Sequence, residues 1–358
     1  MSAARGTAGA VRLDLEHRSR GRAVLVRPDG TIYAARHLTI LRSRDDGATW
    51  ERVGALPRDP LRRVAEFSRL ACRLLRHEVR ALVELDDGTL VAANRRGLFR
   101  GRPGDALFTA SRFDAGGWPV LPPLCLGVGP GVVLFGEYAS SRGRPMRVFA
   151  SRDGGQHFEA VHAFAPGEIL HVHNVIHDTE LGHYWVLTGD FDDQVGIGRL
   201  SSDLQRFEWF VRGEQRFRAV DLFDAGDHLV YATDTQLEPN ALIRLDKRTG
   251  RCERGRPFEG SCIYACRFGD WFALTTTVEP SSINASRDAT LQVSRDLEHW
   301  HCALRERKDR WNADYFQFGS LVLPRGTSGR DVVAVSGQAL ARLDGELWTG
   351  RLQPGDAA

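Results

Sequence analysis

The stretch SRDDGATW, residues 43–50, carries Ser, Asp, Gly and Trp at its first, third, fifth and eighth positions, and its recurrence decides how the chain is read. SRDGGQHF begins at Ser151 with the same spacing, while SSDLQRF from Ser201 and SRDLEHW from Ser294 are one residue shorter and keep the Ser, the Asp and the closing aromatic. The starts lie 108, 50 and 93 residues apart, close to two, one and two units of a single period. A period of that size signals an array of similar supersecondary units. Decayed copies are expected at RGLFRGRPGDALFTA from Arg96, ALIRLDKRTGRCERG from Ala241 and QALARLDGELWTGRL from Gln338.

Between the copies run short alternating segments such as AVLVRPDGTIYAA, ALVELDDGTLVAA and GVVLFGEYAS, broken by Gly, Asp and Pro. They read as strands joined by tight turns. Four strands per unit, repeated radially, predict an all-β chain folded as one seven-bladed β-propeller spanning residues 1–358, with six blades if one decayed hairpin is misplaced.

In these boxes the Asp carboxylate can accept backbone N–H bonds, the Ser hydroxyl can bond locally and the aromatic can fill a gap between sheets. The boxes therefore read as structural. Their pattern resembles the Asp-box, or BNR, repeat of the sialidase-like propellers, a resemblance that covers nearly the whole chain. It implies architecture rather than one chemistry, because such propellers include sialidases, other glycosidases and proteins without catalysis. The Arg-Ile-Pro motif of true sialidases is absent from the early strand EVRALVELDDGTLVAA, so sialic acid specificity is not implied.

Bulk properties narrow the partners. The 48 Lys and Arg nearly balance 46 Asp and Glu, giving a net charge of +2 and no global attraction to nucleic acid. The six cysteines are scattered without CxxC pairs and read as small hydrophobes rather than as a zinc module or disulfide framework. Without a signal-like or membrane-spanning apolar run, a soluble cytoplasmic protein is expected. One segment, PRDPLRRVAEFSRLACRLLRHEV from Pro57, has helical spacing and reads as an amphipathic basic helix at about 58–77, inserted between blades one and two. It is expected to pack on the rim or to touch a membrane surface peripherally.

If each box joins the third and fourth strands, the opposite end of every sheet faces the channel mouth. Ends of second strands then supply Arg95, Glu137, Tyr138, Asp190, Asp234 and Glu279, and starts of innermost strands supply His171, His173, Arg218, Tyr315 and, just before them, Gln215. Glu137, His173, Asp190, Asp234 and Tyr315 are the candidate catalytic groups; Arg95, Tyr138, Gln215 and Arg218 are candidate substrate contacts. Alternation puts His171 and His173 on one face, where with Asp190 or Glu137 they could ligate a divalent metal; acid–base chemistry by His173 alone requires none. Adjacent carboxylates suit glycoside hydrolysis. Arginine beside a uronate carboxylate, a histidine base and a tyrosine acid suit β-elimination. The expected activity is cleavage of an anionic oligosaccharide or polysaccharide by one of these routes, with noncatalytic binding of a glycan or protein as the alternative.

Overall fold

In the computed structural model, residues 11–59, 64–114, 117–139 and 143–354 are described. Strands follow one another in antiparallel runs of four. The first run comprises Arg22–Val26, Ile32–Arg36, Thr39–Ser43 and Glu51–Ala55. Its opening turn is set by chemistry: Asp29 Oδ1 accepts the Thr31 N–H at 2.8 Å, and Gly30 sits between them at φ 88°, where a side chain would be strained. The second run repeats the device with Asp87, Gly88 and Thr89.

Each of the four Ser-x-Asp stretches joins the third and fourth strands of its run. In the copy from Ser151, the Ser hydroxyl donates to Asp153 at 2.8 Å and accepts the Gly155 N–H at 2.9 Å, while Asp153 Oδ1 accepts from Gln156 and His157. The closing aromatics Trp50, Phe158, Phe207 and Trp300 each enter an apolar cluster shared with a neighbouring run. Ser151→Ala is expected to cost about 1–3 kcal/mol, because the buried Gly155 N–H loses its acceptor. Chemical denaturation of the variant checks this.

Packing shows how the runs are arranged. One cluster is shared by runs one and two, another by two and three, and so on to runs five and six. The last cluster joins run six, the final run and run one through residues such as Phe268, Val333 and Ala34, which closes a ring. The final run consists of Gly319–Val322, Val332–Gln338, Glu346–Pro354 and Val11–Arg20, so the beginning of the described chain supplies its outer strand. The stretch from Gln338 therefore joins second and third strands, not the third and fourth that the repeat predicts. Strand Arg325–Ser328 pairs in parallel with the inner strands Arg22–Val26 and Ser261–Phe268, and Gly319–Val322 pairs with Trp271–Val278, which together merge three runs into one 13-stranded sheet. Arg325 also contacts Asp221, and its guanidinium lies 3.1 Å from Cys125 Sγ. These residues belong to runs that are not ring neighbours, so they meet at the centre and bridge it.

The inserted segment departs from the expected single helix. It forms α1 (Val64–Phe67) and α2 (Arg69–Leu75), interrupted by Ser68, whose extended backbone and side chain cap α2 by accepting from Ala71 N. Leu61, Arg62 and Arg63 lie outside the described residues. The expected apolar face is not the buried one: Phe67 is 85% exposed, whereas Cys72 and Arg73 are each 1% exposed. Carboxylates explain the difference. Arg73 reaches Asp309 and Asp344, and Arg69 reaches Glu78 and Asp344, so much of the predicted basic face is turned into the protein. The six cysteines are free, four of them buried, and among the described residues no helix is long and apolar enough to cross a membrane.

Candidate functional site at the channel mouth

His171 and His173 open the innermost strand His171–His177 of the fourth run, where a register shift between Val172 and Asn174 leaves His173 outside the ladder. Both rings are buried, with their Nε2 atoms 3.0 Å apart. Asp190, directly after strand Tyr184–Gly189, brings Oδ1 within 3.1 Å of His173 Nε2 and 3.3 Å of His171 Nε2. Gly189 permits this approach: a Cβ there would stand 2.5 Å from His173 Cε1. Gly189→Ala is accordingly expected to push the imidazole aside and cost about 1–3 kcal/mol, read as a lower melting temperature.

The fifth run adds Arg218, whose Nη2 lies 3.0 Å from Asp190 Oδ1 and 3.5 Å from Asp234 Oδ2. The sixth adds Glu279, which accepts from the Ser261 hydroxyl at 3.2 Å. The third adds Tyr138, its ring 4.2 Å from that of His171, and the second adds Arg80, over the Tyr138 ring at 5.2 Å. Runs two to six thus deliver side chains to one locus. Within it Asp234 Oδ1 and Arg218 Nε are buried with no hydrogen-bond partner among the described residues.

The carboxyls are driven apart in acidity. Burial opposes ionisation of Asp190, but hydrogen bonding to His171 and His173 outweighs it and holds the group well below the usual carboxylate range. Burial also raises Glu279, and nearby Asp234 adds to the effect despite Arg218, pushing it up to about 7. Tyr138 is raised chiefly by burial and keeps its proton. His171 is lowered, again chiefly by burial. Opposite displacement of two carboxyls in one site is the pattern that separates an acid from an anion.

Several expected site residues have other roles. Glu137 is fully buried and held by Arg144 at 3.0 Å, Arg147 at 2.8 Å and the Leu121 N–H at 2.9 Å, which makes it a structural anion rather than an exposed acid or metal ligand. Tyr315 is 64% exposed on α3 (Ala313–Phe316), and none of the contacts that define the cluster reaches it. Gln215 is buried, accepts from Thr235 Oγ1 and donates to the Asp190 carbonyl, so it supports the backbone of the site. Arg218 is committed to two carboxylates rather than free for a sugar carboxylate. Arg95 is exposed and near Arg76 and Arg80; among the described residues none of these three forms an ion pair. Their mutual repulsion contributes, after burial, to a lowered Arg76 pKa. Arg76 and Arg80 were not among the expected contacts, because the sequence shows them only as part of a basic helix and its flank.

A cavity of about 640 Å³ lies elsewhere, among Arg22, Arg36, His37, Glu66, Arg69 and Glu78. Its buried charges already neutralise each other, Arg22 and Arg69 both pairing with Glu78.

Solved structures give the arrangement its place. The WD40 β-propeller domain of Doa1 matches over 97% of this chain and 98% of its own, with TM-score 0.55 and 11% identity. The fold is a β-propeller. The mitotic checkpoint complex contains a chain matching at TM-score 0.56 and 8% identity, over 98% of each chain. The extracellular domain of the putative one-component system BT4673 from B. thetaiotaomicron matches 98% of this propeller at TM-score 0.56 and 12% identity, over 43% of its own length. No family model matches the sequence, and no curated protein does.

Proposed function

We propose that the chain is a seven-bladed propeller of the Asp-box type that cleaves an acidic glycan at its channel mouth. Four boxes placed between third and fourth strands, with their internal hydrogen bonds, support the Asp-box reading. The observation that carries the chemical reading is that one cluster holds two carboxyls displaced in opposite directions, Glu279 pushed up to about 7 by burial and Asp234, and Asp190 held well below the usual carboxylate range. In this scheme Glu279 gives its proton to the departing glycosidic oxygen as the C–O bond breaks and its electron pair moves to oxygen. That step is common to hydrolysis, where water adds to the anomeric carbon and gives a proton to the Asp190–His173 pair, and to elimination, where that pair takes the C5 proton and the C5–H electrons form the double bond. Arg76, Arg80 and Arg95 supply cationic groups for the carboxylates or sulfates of the saccharide.

The test is a screen of acidic polysaccharides for new reducing ends and for absorbance near 232 nm, which only unsaturated uronates give. Cleavage lost in Glu279→Gln and weakened, with raised KM, in Arg80→Ala is the expected result. Stable binding of a saccharide without turnover by the unaltered protein would overturn the catalytic reading and leave a glycan-binding propeller.

A further inference from the structure

We infer that His171, His173 and Asp190 form a binding site for one divalent transition-metal ion. The reading goes beyond glycan cleavage and does not depend on it. His173 Nδ1 lies 2.8 Å from the Ala219 carbonyl oxygen and His171 Nδ1 lies 3.3 Å from that of Ala139. A carbonyl can only accept, so each ring places a proton on Nδ1; without metal, a further proton shared between the Nε2 atoms and Asp190 makes the hydrogen bonding that holds that carboxyl low, and once it is displaced both Nε2 atoms present lone pairs. Those lone pairs face each other across 3.0 Å with the Asp190 oxygen 3.1–3.3 Å from both. Three acceptors converging on one point repel unless a positive charge stands among them.

The dimensions fit a metal. One donor atom from each residue lies within 4.8 Å of the others. Tetrahedral zinc bonds of about 2.0–2.1 Å to nitrogen would set the two Nε2 atoms about 3.3 Å apart, so the rings need to separate by only a few tenths of an ångström. Anchoring of Nδ1 by a backbone carbonyl is the outer-shell arrangement that orients metal-binding histidines. Two imidazoles and one carboxylate favour a transition-metal ion, borderline Zn²⁺ above the harder Mn²⁺, over Ca²⁺ or Mg²⁺, which prefer all-oxygen surroundings. Arg218 shares the same carboxylate oxygen, and on metal entry it would lean toward Asp234, already 3.5 Å away.

Tag-free protein, stripped with chelator, is titrated with Zn²⁺, Mn²⁺, Ca²⁺ and Mg²⁺ by calorimetry, and bound metal is counted after dialysis. One equivalent of Zn²⁺ or Mn²⁺ per chain is expected, with no comparable binding of Ca²⁺ or Mg²⁺. His171→Ala and His173→Ala should each weaken binding beyond the roughly 10- to 100-fold loss typical of an outer-shell change. Should either variant fail to fold, histidine-selective ¹⁵N spectra of the unaltered protein decide: Zn²⁺ is expected to shift Nε2 of two histidines that keep Nδ1 protonated. Substoichiometric binding to the folded protein, or two-histidine shifts absent at saturating Zn²⁺, overturns the site and leaves a proton as the shared charge; the cleavage reading, which shares Asp190, is decided separately by the activity of Glu279→Gln.

Discussion

Glu279→Gln is expected to stabilise the protein above pH 7 by about 3 kcal/mol and to flatten its stability between pH 4.5 and 7. The Glu279 carboxyl is pushed up to about 7 in the folded chain against the ordinary glutamate value of 4.5. Between those values the folded state holds a proton that the unfolded state has released, so the contribution to stability is full below pH 4.5 and lost as pH rises through 7. Moving a carboxyl over that interval corresponds to roughly 3 kcal/mol. Burial is the larger cause and Asp234 the next, so Asp234→Asn should recover a smaller part of the same effect. Chemical denaturation at pH 5 and pH 8 measures both; parallel pH profiles for Glu279→Gln and the unaltered protein would show that Glu279 is already ionised.

Glu137→Ala is expected to destabilise the fold by about 3–5 kcal/mol at neutral pH. Its carboxylate makes no contact with solvent and neutralises Arg144 and Arg147 while accepting the backbone N–H groups of Leu121 and Arg147. Removing one member of a buried ion pair leaves an uncompensated charge, and that penalty exceeds what the pair itself contributes. The triple variant with Arg144→Met and Arg147→Met should regain much of the loss, since no buried guanidinium is then left without an anion. A loss below about 1 kcal/mol in equilibrium denaturation would mean that water reaches the site and that Glu137 is not the buried anchor described.

The fold was legible because its signal repeats. Ser, Asp and aromatic positions recur at nearly constant spacing, and each has a local reason that needs no distant partner. Ring closure by Val11–Arg20 was not legible, since one edge strand carries no mark of which sheet it will complete. The candidate site was legible in part. The rule that second-strand ends and first-strand starts share the channel mouth selected His171, His173, Asp190, Arg218, Asp234 and Tyr138. It named Glu279 as a strand end without distinguishing it, because the raised pKa comes from burial and Asp234, both tertiary. The same rule misplaced Glu137: its terminal position looks like that of Asp190, and only the long-range approach of Arg144 and Leu121 reveals a sealed anion. The basic segment failed for a related reason. Helical periodicity records polarity, not whether Asp309 and Asp344 wait beneath the guanidiniums.

The central claim is that runs two to six assemble one saccharide-cleaving site around Asp190 and Glu279. A crystal structure of Glu279→Gln soaked with acidic oligosaccharides tests it most directly. The predicted result is a sugar seated over Tyr138 and His171, its acidic group on Arg80 and a glycosidic oxygen within hydrogen-bond reach of residue 279. A saccharide bound only elsewhere on the propeller, with this mouth left to solvent, would contradict it.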